Sequence, residues 1–281
     1  MLKLIIASLL FTSSVYAEEF QAPVTDTNWN VIESPLECSL MQTIPSFGQA
    51  GFYRRNGQAL QLKFITDSLS AVQDTVLLEM SAAPWQNTEQ YDTLATLPTI
   101  SGQREFIFDG VLAQQALAKM QDGRFPIIRY QSQSYNGDTT VKLSTVKFND
   151  SLPAFQQCLS NLYPDSFDEI RKLTVYFESE KANLDKASIN ALTRVAEYVK
   201  VDDSVNQIII TSHTDSFGRK RLNVPLSEAR AKTIRDFFVS KYEVPAEKIV
   251  LRSFVDHDPA ATNKTPKGRA YNRRAEIELV R

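Results

Sequence analysis

The run Ile208-Ile209-Ile210-Thr211-Ser212-His213-Thr214-Asp215-Ser216-Phe217-Gly218-Arg219-Lys220-Arg221-Leu222-Asn223-Val224-Pro225-Leu226-Ser227-Glu228-Ala229-Arg230-Ala231 decides how the C-terminal part of this chain folds. Three consecutive isoleucines are apolar on both faces of a strand, which predicts a buried central strand. Asp215 leaves the end of that strand and enters a polar loop. A helix is expected over about 226–241. Within it Arg230 has Leu226 at i−4 and Ile234 at i+4, so a guanidinium interrupts an apolar stripe. A charge at such a place is either paired internally or faces a cleft that accepts a ligand. An Asp215–Arg230 salt bridge would be the first case and a binding pocket the second.

Outward from this core, Leu173, Val175 and Phe177 alternate as a strand, and Leu192, Val195 and Val199 form the inner stripe of a helix. Ile249-Val250-Leu251 and the alternating Ala275, Ile277 and Leu279 add two more strands. The order β-α-β-α-β-β, with helices able to cover one face of a small sheet, is an α/β sandwich over residues 166–281. Tyr163-Pro164-Asp165 breaks the pattern and marks a domain boundary.

Residues 18–165 read differently. Leu60, Leu62 and Phe64 alternate with polar residues, as do Phe106 and Phe108, then Val141 and Leu143, all at the period of half-buried strands. A helix is expected over 111–120, stopped by Gly123 with Pro126 beyond it. A second, short helix carries Phe155, Cys158, Leu159 and Leu162 on one face. The first domain is therefore mostly β, a sandwich or barrel-like sheet, and the chain as a whole is α+β.

The first 17 residues have the form of a signal peptide: Lys3, a short apolar run, and Val15-Tyr16-Ala17 as a cleavage site. The apolar run is well short of the ~20 residues that span a bilayer. About 264 residues remain, enough for two domains. Export bears on the cysteines, because Cys38 and Cys158 are the only two and such a pair in an oxidising compartment is expected to be bridged. That bridge would contribute on the order of 4–5 kcal/mol at most by the chain-entropy model. Residues 18–165 hold 9 Lys and Arg against 16 Asp and Glu, whereas residues 166–281 hold 21 against 17. The basic half suits an anionic polymer such as the cell wall. Nucleic acid is excluded as a partner by compartment.

His213-Thr214-Asp215, Asn223, Leu226-Ser227, Arg230-Ala231, Gly268-Arg269-Ala270 and Asn272-Arg273-Arg274-Ala275-Glu276-Ile277 together resemble the peptidoglycan-associated C-terminal domain of the OmpA family, along about 110 residues. In that family the ligand is the diaminopimelate of the peptide stem, which presents an ammonium and a carboxylate. The resemblance implies that Asp215 takes the ammonium and that Arg230 forks onto the carboxylate, a bidentate contact that lysine does not reproduce. It also implies that Thr214, Asn223 and Arg274 line or brace the pocket. The chain departs from the family pattern at Ser212, where a glycine usually precedes the histidine. It departs again at Ser253-Phe254-Val255-Asp256, where a glycine-rich turn is usual. Both are expected to narrow or reshape one wall.

In the first domain, Pro35-Leu36-Glu37-Cys38, Ile44-Pro45-Ser46-Phe47-Gly48, Ala83-Pro84-Trp85 and Gly123-Arg124-Phe125-Pro126 resemble the N-terminal domain of the MotY family of the sodium-driven flagellar motor. That resemblance implies a periplasmic ring component. Its first domain would meet the basal body and a MotX-like partner, its second would hold peptidoglycan, and together they would anchor the stator complex. It also implies the Cys38–Cys158 pair.

Three rivals stand against this reading. An enzyme would need catalytic signatures, and the chain has neither a Gly-x-Ser-x-Gly elbow nor a His-Glu-x-x-His motif. With histidines only at 213 and 257, no catalytic residue, metal site or cofactor is expected. An outer-membrane barrel ahead of the second domain would need longer alternating strands than residues 18–165 offer. The third rival is a generic wall-tethering protein unrelated to flagella.

Overall fold

A computed structural model describes residues 18–86, 90–134, 138–217 and 220–281. The expected signal peptide, residues 1–17, lies outside them. The chain divides into two compact units between Leu162 and Tyr163. This is three residues ahead of the boundary read from the sequence. The reason is local: the Tyr163 ring packs on Tyr198 with centroids 5.7 Å apart, and Asp165 pairs with Arg194, so both belong to the second unit.

Among the described residues the first unit has ten strands: β1 (Glu18–Gln21), β2 (Trp29–Glu33), β3 (Glu37–Ile44), β4 (Gly48–Arg55), β5 (Gln61–Thr66), β6 (Ala71–Ser81), β7 (Tyr91–Pro98), β8 (Glu105–Asp109), β9 (Phe125–Ser132) and β10 (Asp138–Lys142). They form two five-stranded sheets, ordered β1-β10-β9-β6-β7 and β2-β3-β4-β5-β8. Helix α1 (Val111–Gln121) matches the expected span, and α2 (Phe148–Ser160) begins earlier than its apolar face suggested. Leu40, Phe52, Leu62 and Phe64 of one sheet share a single buried cluster with Leu78, Ile128 and Val141 of the other. Phe106 and Tyr130 meet from opposite sheets at 4.4 Å between centroids. Buried Gln42 exchanges both amide bonds with the Ser144 backbone, at 2.9 and 3.2 Å, so its polar group does not weaken the core. A disulfide joins Cys38 of β3 to Cys158 of α2, with Cα atoms 5.9 Å apart.

The second unit runs α3 (Phe167–Ile170), β11 (Lys172–Tyr176), α4 (Lys186–Val201), β12 (Gln207–His213), α5 (Lys220–Asp236), β13 (Ile249–Val255), α6 (Pro266–Asn272) and β14 (Arg274–Val280). The sheet order is β11-β14-β12-β13, with β12 parallel to β13 and antiparallel to β14. The triple isoleucine therefore lies in an interior strand, as its two-sided apolarity requires. Helix α4 packs on β11, and α5 packs on β12 and β13. Asp185 caps α4, its carboxylate accepting the Ser188 N–H at 2.7 Å.

Three helices differ from the sequence reading: α3, a single turn ahead of β11 that was not expected, and α5 and α6. Helix α5 begins at Lys220, not near Leu226, with Pro225 inside it, and continues through a π-helical turn at Phe237–Lys241. Helix α6, between the last two strands, was not expected. It is seven residues long and has no apolar period to betray it, but Thr265 caps it and Pro266 opens it.

Candidate functional site

The site forms where β12 ends. One face of α5 presents Asn223, Ser227 and Arg230, spaced i, i+4, i+7 and therefore stacked along one side of the helix. Each donates to a main-chain carbonyl at the end of that strand: Asn223 Nδ2 to Asp215 at 3.1 Å, Ser227 Oγ to Ser212 at 3.1 Å and Arg230 Nη1 to His213 at 2.9 Å. The helix thus ties itself to the main chain where β12 runs out into the loop.

Arg230 is fully buried. Its Nε donates to the Lys181 carbonyl at 3.0 Å and its Nη2 to that of Glu178 at 3.2 Å, while the guanidinium lies 4.9 Å from the centroid of Phe177. Burial first, then the nearby Arg273, pushes its pKa down to about 10, with Asp215 opposing. It stays charged at neutral pH. Among the described residues it makes no salt bridge, so Asp215 acts on its charge only from beyond contact distance. A guanidinium has five N–H donors, of which three go to these carbonyls.

Asp215 is paired instead with Arg273, whose Nη1 donates to Oδ2 at 3.0 Å. Its Oδ1 accepts the Phe217 N–H, also at 3.0 Å. Arg273 is steadied by donating from Nε to the Phe177 carbonyl. Asp215, Arg230 and Arg273 together line a cleft of about 310 Å³ with Thr214, Asn223 and an apolar side made by Phe217, Leu222 and Leu226. The Thr214 hydroxyl is buried there and has no hydrogen-bond partner among the described residues. Two guanidinium groups and two carboxylates, Asp215 and Glu180, line the cleft, and this mixture of charges suits a ligand that carries both a carboxylate and an ammonium.

Four of the residues singled out in the sequence thus meet in the cleft: Asp215, Arg230, Thr214 and Asn223. Arg274 does not. Its Nε donates to Glu276 at 2.7 Å, and its two Nη atoms reach the Asp258 carbonyl at 3.3 Å, away from the lining. The residue missed was its neighbour Arg273. Strand parity held the signal, because Ala275, Ile277 and Leu279 face the helices and Arg274 therefore points to the other side.

Neither departure from the family pattern lines the cleft. The Ser212 and Ser253 hydroxyls both bond to that of Ser227, each at 2.8 Å, tying β12 and β13 to α5. Val255 adopts φ 53°, the left-handed region that favours glycine, which fits a family preference for glycine in this turn. Its carbonyl accepts the Thr214 N–H at 2.8 Å. Helix α6 braces the loop from below. Asn272 bonds Asn263, which in turn accepts the Ser216 N–H. Gly268 has no room for a side chain, since a Cβ there would stand 1.9 Å from the Thr262 carbonyl oxygen.

The comparisons with known proteins follow this division. The MotY N-terminal domain matches residues 20–164, and the OmpA family matches residues 176–273. The chain is 32% identical over 287 aligned residues to the sodium-type flagellar protein MotY of Vibrio parahaemolyticus, covering 99% of this chain and 96% of that protein. It is 33% identical over 131 residues to outer membrane protein A of Bordetella avium, covering 47% of this chain and 66% of that one. Among solved structures, the peptidoglycan-associated lipoprotein from Burkholderia pseudomallei is 25% identical, with a TM-score of 0.36, over 38% of this chain and 89% of that chain.

Proposed function

The chain belongs to the MotY family, and from that premise we propose that it is a periplasmic part of the flagellar motor, a binding protein that anchors stator units to the cell wall. Residues 163–281 hold peptidoglycan, and residues 18–162 meet the basal body and a MotX-like partner. The observation that carries the wall-binding half is Arg230, a buried guanidinium with three carbonyl partners and no salt bridge among the described residues, lining a cleft beside Asp215. In this reading a stem-peptide carboxylate completes the fork while Asp215, already steadied by Arg273 and the Phe217 N–H, accepts the ammonium. The acidic first domain and the basic second domain suit different neighbours. No helix among the described residues is long and apolar enough to cross a membrane, and in this reading retention at the envelope comes from binding.

The test is complementation of a gene deletion in the native host. Deleted cells are expected to carry normal filaments yet fail to swim in soft agar, and the intact gene to restore swimming. An Asp215→Asn gene should restore it poorly, because the isosteric amide keeps the shape and loses the charge. Normal swimming after deletion would overturn the motor reading. Full rescue by Asp215→Asn would overturn the assignment of the cleft.

A further inference from the structure

Strand parity places His213 on the face of the second unit's sheet turned away from α5. Ser212 and Ser253 turn toward that helix, where both meet Ser227, so their neighbours His213 and Phe254 turn the other way. Yet His213 is only 1% exposed. Residues 256–265, which follow β13, cross this face. The Asp258 carbonyl there accepts from both Nη atoms of Arg274 at 3.3 Å. The ring is thus walled in by Phe254 of β13, by Arg274 and Glu276 of β14, and by Asp258, with Arg252 one pleat earlier on β13. Neither ring nitrogen has a hydrogen-bond partner among the described residues. A neutral imidazole brings one donor and one acceptor, and leaving both unmet inside a protein is costly.

Two bonds run from this neighbourhood to the cleft. The Thr214 N–H donates to the Val255 carbonyl at 2.8 Å, and the Ser216 N–H to Asn263 Oδ1 at 3.1 Å. The end of β13 and the crossing segment therefore hold the main chain on both sides of Asp215. Val255 is strained, because a β-branched side chain at φ 53° sits in the left-handed region. The pairing of β12 with β13 also slips between Ser212 and His213.

We propose that His213, the strand end at Val255 and residues 256–265 form a latch behind the cleft that mild acid opens. A proton on the ring sets a second buried cation against Arg274, with Asp258 and Glu276 already facing that arginine. Lifting the segment gives the imidazolium access to water, relaxes Val255 and withdraws the brace from the Asp215 loop. Burial, then Arg274, hold the pKa of the ring below the ordinary 6.5 against Glu276 and Asp258. The closed form thus takes up the proton later than the open form, and acid favours opening. The latch belongs to the fold, and its control of retention on the wall rests on the wall-binding reading.

The experiment uses the full chain at pH 7.5 and 5.5. It measures amide exchange corrected for the intrinsic rate, and pelleting with purified peptidoglycan. In wild type the Thr214 and Ser216 amides should lose protection at pH 5.5 while those of α4 hold, and less protein should pellet. His213→Phe, which keeps the stacking and removes the titration, should abolish both differences. His257→Gln, at the exposed histidine of the crossing segment, should retain both. Equal protection of Thr214 and Ser216 at the two pH values in wild type overturns the latch, and that reading needs no variant. A loss in His213→Phe equal to that of wild type overturns it too. Faster exchange with unchanged pelleting overturns the link to the cleft. Failure to pellet at either pH overturns the wall reading, and exchange then judges the latch alone.

Discussion

The largest fully buried side chains of the first unit are phenylalanines, among them Phe47, Phe52, Phe64, Phe106 and Phe108, whereas in the second unit the largest is Arg230. Each unit also has a cross-link. In the first it is covalent, Cys38 to Cys158, and joins a strand to a helix. In the second it is the Arg230 guanidinium, which joins α5 to the end of β12 and to the loop after β11. An apolar core closed by a disulfide needs only volume and pattern. A core organised around a cation needs carbonyls at set places, and those places also shape the cleft. The second unit therefore couples its stability to the shape of its cleft.

The largest expected effect separates the two cross-links. Replacing both cysteines, Cys38→Ala/Cys158→Ala, frees a loop of 120 residues and should destabilise the first unit by on the order of 5 kcal/mol, less any strain relieved. Both tryptophans, Trp29 and Trp85, lie in that unit, so their fluorescence in a denaturant titration follows it alone. The expected result is a lower midpoint for the tryptophan transition with unchanged amide exchange in β12. A parallel loss of protection in β12 would show that the units do not unfold separately.

Next in size is Arg230→Met, which fits the apolar stem and removes the charge but strands the carbonyls of Glu178, Lys181 and His213. Unsatisfied buried acceptors of this kind should lower the stability of the second unit by about 3 kcal/mol. Amide exchange in β12 should accelerate while the tryptophan transition stays in place. If Arg230→Met exchanged as slowly as wild type, the arginine would be a ligand group only, and the coupling of stability to binding would fail.

What the sequence made legible follows from the range of each interaction. The strand at Ile208-Ile209-Ile210 and the helix over 111–120 announce themselves within a dozen residues, because burial imposes a local period. The cleft is only partly of this kind. Asp215 and Arg230 stand out, the one at a strand end and the other in an apolar stripe. The pairing of Asp215 with Arg273 spans 58 residues, and no local pattern carries it. The start of α5 was hidden by Pro225 and the polar residues before it, which read as loop. The parallel pairing of β1 with β10 was hidden because a four-residue strand is too short to show alternation. Ser212 and Ser253 looked like changes to a binding wall only because sequence does not say which face a hydroxyl takes.

The smallest effect is a dependence on pH that only the second unit should show. Both histidines of the chain, His213 and His257, lie there, and His257 is exposed. The His213 ring is buried and stacked on Phe254, with centroids 5.8 Å apart, and neither nitrogen has a hydrogen-bond partner among the described residues. Burial first, and then the neighbouring Arg274, push its pKa below the ordinary 6.5, against the pull of Glu276 and Asp258. The folded state therefore binds its proton later than the unfolded chain does. Stability contributed by the neutral ring is present in full above about pH 6.5 and is lost as pH falls through the window beneath it, by at most about 1.4 kcal/mol per unit for a single site. His213→Phe keeps the stacking and removes the titration, so its β12 amides should hold the same protection at pH 5.5 as at pH 7.5, while those of wild type lose some. The tryptophan transition of the first unit should not move over that range in either protein. Equal losses in His213→Phe and wild type would place the sensitivity elsewhere, and a matching shift of the tryptophan signal would show that the two cores do not differ in this respect.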